Sequence, residues 1–213
     1  LALQRLRESE AWGADRRFWQ ERVHDFPEAP ALPTLYDIAT IETPRFTRRQ
    51  HRVSPKQWTA LKEYAAQLGV GPTALLLDLY AEALHPYTGQ DKFALNLTVA
   101  NRVPVHPDVD NLVGDFTSLM LIAIDRTQDV SNNQRLHAVQ EVLNEALEHR
   151  LYDGVDFVRD LAKARGAQNQ AIMPVVFTAA LEQGDARRGW DALGRTTMGV
   201  NQTSQVILDN QVV

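Results

Sequence analysis

The chain has no cysteine among its 213 residues. Disulfides, thiolate nucleophiles and cysteine-ligated metals are excluded, and a cytoplasmic location is the expectation. No apolar run approaches the ~20 residues that a membrane helix needs, and the first residues carry no signal-peptide pattern. Basic charge is in deficit: 22 Lys and Arg against 27 Asp and Glu leave a net charge of -5. That balance argues against a nucleic-acid partner, for which a basic stripe is expected. The basic residues that do cluster, Arg45, Arg48, Arg49, His51 and Arg52, fall on an alternating segment. They read as charges guarding an edge strand.

The common catalytic signatures are missing too. There is no GxGxxG, no phosphate-binding P-loop, no GxSxG elbow and no HExxH pair. The six histidines show no metal-ligand spacing and read as surface or locally bonded side chains. Asp108 and Asp110 lack the further oxygen ligands that a cation site needs. No internal repeat or low-complexity tract interrupts the chain.

What is present is ordinary globular composition, 44% hydrophobic and 23% charged, enough for one large domain or two small lobes. Helical periodicity runs from Ser9 to about Val23 through Trp12, Phe18 and Trp19. The stretch Phe26–Pro33 holds three prolines and reads as an extended connector. Thr43–Val53 alternates and is expected to be a strand. Ser54-Pro55 is a helix start, and that helix is expected to end at Gly69. A second helix should run from Pro72 to Pro86. Phe93–Val99 alternates as a half-buried strand, while Phe116–Ile124 is nearly all apolar and expected to be central. A long helix through Leu136–Leu147 and a shorter one through Val155–Leu161 follow. Strands alternating with helices predict an α/β fold, a mixed sheet covered by helices.

Three groups of residues carry candidate chemistry. The run Met173–Thr178 and the run Gln202–Asp209 read as strands, ending on a hydroxyl and a carboxylate. Were the strands neighbours, Thr178 and Asp209 would face one cleft as a hydrogen-bonding and proton-handling pair. Strand ends that merely meet solvent are the alternative. Gly114–Ser118 places Asp115 and Thr117 either at a cleft mouth or in a tight turn capped by Asp115. Arg102 is expected to pair with Asp115.

Read in order, these segments resemble the heterocyclization domain of nonribosomal peptide synthetases, a branch of the condensation domains with the chloramphenicol-acetyltransferase-like fold. The matching stretches are FPEAPALP (Phe26–Pro33), TPRFTRR (Thr43–Arg49) and PTALLLDLYAEAL (Pro72–Leu84). They continue with LNLTVANRVPVHPDVDNLVGDFTSLMLIAID (Leu95–Asp125), LEHRLYDGVDFVRDLAKARG (Leu147–Gly166), PVVFT (Pro174–Thr178) and QTSQVILDNQ (Gln202–Gln211). The resemblance implies a two-lobed enzyme with a tunnel between lobes, fed from two sides by carrier proteins bearing phosphopantetheine thioesters. It implies condensation of an acyl group with cysteine, serine or threonine, then cyclodehydration to a thiazoline or oxazoline. No cofactor bound by the domain itself is implied; a neighbouring adenylation domain is.

By the same resemblance Asp209 and Thr178 are the catalytic pair, with Gln202, Asn210, Asp115 and Thr117 as substrate-binding candidates and no metal site. Residues 1–40 correspond to a helix with the proline-rich inter-lobe connector, and 41–213 to the C-terminal lobe. Both ends look cut from something longer, and the N-terminal lobe with its DxxxxD motif lies outside. The chain alone is therefore expected to be inactive. Three departures from the family pattern stand out: Ala179 for serine, Ser204 for proline and Asn210 for histidine. They keep open a degenerate lobe serving carrier-protein docking; an ordinary amide-forming condensation domain is the other alternative, which an HHxxxDG motif upstream of Leu1 would decide.

Overall fold

The structure, a computed structural model, describes residues 2–37, 40–167, 170–181 and 205–213. A helix's first turn leaves backbone amides without partners, and short polar side chains fill that role here. Helix α1 (Ala2–Arg7) is short. Ser9 accepts from the Trp12 amide at 3.2 Å and opens α2 (Glu10–Gln20). Ser54 and Gln57 form a reciprocal capping box at α3 (Pro55–Gln67). Helix α4 (Pro72–Thr88) runs through Pro86, two residues beyond the expected end, and stops at Gly89 with a left-handed φ of 62°. Pro86 falls in the last turn, where the Thr88 hydroxyl donates to the His85 carbonyl at 3.1 Å and steadies the end.

Four strands form one sheet in the order β2-β1-β3-β4: β1 Lys92–Ala100, β2 Thr117–Asp125, β3 Val175–Ala179 and β4 Leu208–Val212. Strands β1 and β2 are antiparallel over nine residue pairs from Lys92↔Asp125 to Ala100↔Thr117. Both β1–β3 and β3–β4 are parallel. Helix α5 (Asn132–Glu148) has a second capping box, Ser131 with Gln134. Helix α6 (Gly154–Ala164) is capped by Asp153, whose carboxylate accepts from Val155 and Asp156. Helices α5 and α6 pack on β2, α4 lies beside α5, and α2 lies on α6.

Strand alternation divides the sheet into two faces. One carries Phe93, Leu95, Leu97, Met120, Ile122, Ile124, Val175 and Phe177, all in the main core. The other is buried in the middle, at Ala94, Asn96, Leu121 and Val176, and opens toward the carboxyl ends of β1 and β3. Expected as half-buried, β1 is instead covered on both faces along much of its length. The proline-rich connector contributes: the Glu28 carbonyl accepts from the Ala94 amide at 2.7 Å, ahead of the point where β3 begins to pair. Arg165 donates to the Phe26 and Pro27 carbonyls and holds the connector there.

Other expectations are corrected. Strand β2, expected to be central, is the outer strand of the described sheet, and its apolar character comes from α5 and α6 above it. Thr43–Val53 forms no strand: its residues are exposed and pair with no neighbour in the sheet. Alternation without a partner strand leaves backbone groups to water, so the basic cluster sits on an exposed chain segment. The last strand begins at Leu208, not near Gln202. Arg102 does not pair with Asp115; it donates to the Val109 and Leu112 carbonyls and lies over the Phe116 ring at 3.8 Å.

Two polar clusters brace the helices. Buried Asp15 of α2 accepts from His149 Nδ1 at 3.0 Å and from the Leu151 amide at 2.9 Å, while the Phe18 ring stacks on His149 at 3.7 Å. Trp19 Nε1 donates to the His149 carbonyl at 2.8 Å. Asp78 of α4 accepts from Arg126 at 2.6 Å, and Arg135 of α5 pairs with Glu82 at 3.3 Å. A buried carboxylate needs such partners to remain charged.

Candidate functional site

The two terminal strands are neighbours, paired in parallel from Val175↔Leu208 to Ala179↔Val212. In parallel pairing, partners share a face, so Thr178 and Gln211 form one rung and Val176 and Asp209 the rung before it. On the other side, Thr98 of β1 pairs with Thr178, and Leu119 of β2 with Thr98. The open face thus carries a cross-strand row Leu119–Thr98–Thr178–Gln211, and beside it Leu121–Asn96–Val176–Asp209. Thr98 and Thr178 are half-buried; Asp209 and Gln211 are exposed. Thr178 and Asp209 are diagonal neighbours, with Cα atoms about 8 Å apart for a strand rise of ~3.3 Å and a strand spacing of ~4.8 Å.

Gln211 stands on Thr178's rung, and its Nε2 donates to Asp209 Oδ2 at 2.6 Å. Beneath the sheet, the Tyr80 ring of α4 stacks on Phe177 at 5.6 Å. Burial, and secondarily the Asp209 charge, push the Tyr80 phenol well above its ordinary range and hold it neutral. Its hydroxyl is buried without a hydrogen-bond partner among the described residues.

The remaining sequence candidates separate. Asn210 pairs with Phe177 and so lies on the helix-covered face, away from Thr178 and Asp209. A period of two makes adjacent residues of a strand face opposite ways, which adjacency in a motif conceals. Ala179 shares that helix-side face. Thr117 begins β2 on the open face, two strands from Thr178 and opposite Ala100. Asp115 accepts from the Thr117 amide at 2.8 Å, in the tight-turn arrangement. The Thr117 hydroxyl and amide hold its exposed carboxyl below the ordinary range. Both line an open groove of about 250 Å³ with Arg7, Trp12, Asp153 and Asp156. Gln202 and Ser204 lie outside the described residues.

Three open-face residues were not singled out in the sequence: Asn96, Thr98 and Gln211. Asn96 is buried and donates to the Met173 carbonyl at 3.4 Å. Its signal was legible as the one amide in an otherwise apolar stretch of strand. Thr98 and Gln211 gave none until the register joined three distant segments. No group of three or more His, Asp or Glu side chains is placed to share a metal ion among the described residues. Chemically, the face offers one carboxylate that can move a proton and the hydroxyls of Thr98, Thr117 and Thr178, while the Asn96 and Gln211 amides are already engaged with the Met173 carbonyl and Asp209.

Comparison with known proteins matches the chain to one family. Residues 1–207 match the condensation domain. The chain is 39% identical over 216 residues to bacitracin synthase 1 of Bacillus licheniformis, covering all of this chain and 4% of that protein. It is also 39% identical over 201 residues to the phenyloxazoline synthase MbtB of Mycobacterium tuberculosis, covering 93% of this chain and 14% of the relative. Among solved structures, the EpoB cyclization-docking bidomain of Sorangium cellulosum superposes with a TM-score of 0.85 at 34% identity. That match covers 98% of this chain and 42% of the other. The first condensation domain of the calcium-dependent antibiotic synthetase shares the fold, with a TM-score of 0.64 at 18% identity. The chain therefore spans a minor part of each of these proteins. It belongs to the condensation domain family of the nonribosomal peptide synthetases.

Proposed function

We propose that this chain works as part of a heterocyclization domain, forming an amide with cysteine, serine or threonine and then closing it to a thiazoline or oxazoline. In this reading residues 1–40 are the inter-lobe helix and connector, and 41–213 the C-terminal lobe. An N-terminal lobe completes the tunnel, so the chain alone does not turn over. Carrier proteins deliver both thioesters on phosphopantetheine arms, an adjoining adenylation domain selects the amino acid, and the whole operates in the cytoplasm.

The observation that carries the reading is the pairing of β3 with β4, with Thr178 and Asp209 diagonal on one open face. The Asp209 carboxylate accepts the proton of the thiol or hydroxyl as that heteroatom bonds to the amide carbonyl carbon. The protonated carboxyl returns that proton to the alkoxide oxygen, giving the carbinol. The carboxylate then takes the nitrogen-bound proton and passes it to the carbinol oxygen, so that the C–O bond breaks, the C=N bond forms and one water departs. Thr178, neutral throughout, donates to the carbonyl oxygen before attack. General acid–base catalysis of this kind contributes about 10²–10⁴-fold.

The names of the relatives, a phenyloxazoline synthase and a cyclization domain, support the heterocyclic product. The degenerate-lobe alternative draws on Ala179, Ser204 and Asn210. Ala179 and Asn210 fall on the helix-side face, so they leave the Thr178–Asp209 face unaltered. The test is mass spectrometry of carrier-bound products from the intact synthetase carrying Asp209→Ala or Thr178→Val. The expected product is the linear amide, heavier than the heterocycle by one water. Heterocycle at the parental rate from Asp209→Ala overturns the reading; heterocycle never formed by the parent favours a plain condensation domain.

A further inference from the structure

We propose that Gln211 is the positioning residue for Asp209, an inference that rests on the heterocyclization reading above. Asp209 is exposed on β4, the outermost strand of the described sheet. A short carboxylate in such a place samples several rotamers, and a proton carrier must hold one against the substrate. Gln211 sits two residues on, on the same face, and its Nε2 donates to Asp209 Oδ2 at 2.6 Å. The backbone of the glutamine is held within the sheet. It shares a rung with Thr178, and the next rung is closed by the Ala180 amide donating to the Val212 carbonyl at 2.9 Å.

A solvated glutamine on an edge strand is the plain alternative, and it explains neither the bond nor the rung. From Thr98 through Thr178 to Gln211 the row is continuous across three strands, and its end carries the amide that bonds the carboxylate. Gln211 therefore stands on Thr178's rung while its side chain holds Asp209. It transfers no proton. Its amide holds the carboxylate in place to accept one from the attacking heteroatom.

The decisive variant is Gln211→Glu, which keeps the side chain's shape and removes the donor. Measured in the intact synthetase by product mass spectrometry, amide formation should continue at the parental rate. Cyclisation should slow by about tenfold to a hundredfold, the loss expected for a hydrogen bond to a charged group. The like charge also favours protonated Asp209, so the acidic limb of the cyclisation rate should move to higher pH. Gln211→Ala should slow cyclisation similarly, with the linear amide accumulating. Parental cyclisation and an unmoved pH profile in both variants overturn the role of Gln211, provided Asp209→Ala abolishes the heterocycle. Equal loss of amide formation and cyclisation also overturns it. If Asp209→Ala itself still cyclises at the parental rate, the underlying reading fails instead.

Discussion

Single residues act in this protein chiefly through who receives their charge. Asp209 has Gln211 at 2.6 Å, Asp15 has His149 at 3.0 Å, and Asp125 has Lys92 at 2.8 Å. Asp125 shows how partners compete with environment. Partial burial pushes its carboxyl up, but the Lys92 ammonium and the Thr127 hydroxyl and amide outweigh it and bring it down to about 2. A lowered value means that the folded state prefers the charged carboxylate. The contribution is therefore complete above the unfolded value of about 4 and is lost as pH falls through about 2. Half-exposed on both sides, the pair is weakened by solvent screening. Urea unfolding of the parent and Asp125→Asn should differ slightly near neutral pH, and the difference should vanish toward the acid end. A difference that stays constant with pH would contradict this assignment.

At the level of elements, the decisive contacts are close approaches and strand registers. Helix α6 starts so near β2 that a Cβ on Gly154 would lie 2.2 Å from the Leu119 carbonyl oxygen. Because that neighbour is backbone, Gly154→Ala must move the helix. A cost at the upper end of about 1–3 kcal/mol is expected, lowering Tm by about 2–4 °C per kcal/mol in a chain of this size. An unchanged melting temperature would refute the contact. Elements with local causes were readable in the sequence: Ser54 caps its own helix and the apolar runs of α4 and α5 mark buried helices, while Ser131 and Asp153, caps of the same kind, were not singled out. Elements with distant causes were not. Thr43–Val53 has the alternation of a strand but no partner. Strand β1 looked half-buried because the connector residues packed against the core, Phe26, Ala29 and Leu32, stand far upstream. Strand β4 looked earlier than it is because Val206 and Ile207 are apolar, whereas pairing with Val175 starts it at Leu208. Thr178 and Asp209 could be set on neighbouring strands from the sequence, whereas the face of Asn210 and the place of Gln211 follow only from the register.

Across the whole molecule, a helical layer buries one side of the sheet and leaves polar side chains at the carboxyl ends of the parallel strands on the other. Ligands in open α/β sheets characteristically meet the fold there. The α2 helix is tied into the same body through Trp19, Asp15 and His149, so the connector and the sheet move as neighbours. No helix of the described residues is long and apolar enough to cross a membrane. The central claim is that ring closure takes place on the open face. Its most direct test is Asp209→Asn in the intact synthetase, which preserves shape and removes only the carboxylate's ability to take a proton. In a single turnover followed by mass spectrometry, the linear amide should form normally and persist without losing water. Heterocycle appearing at the parental rate would contradict the account.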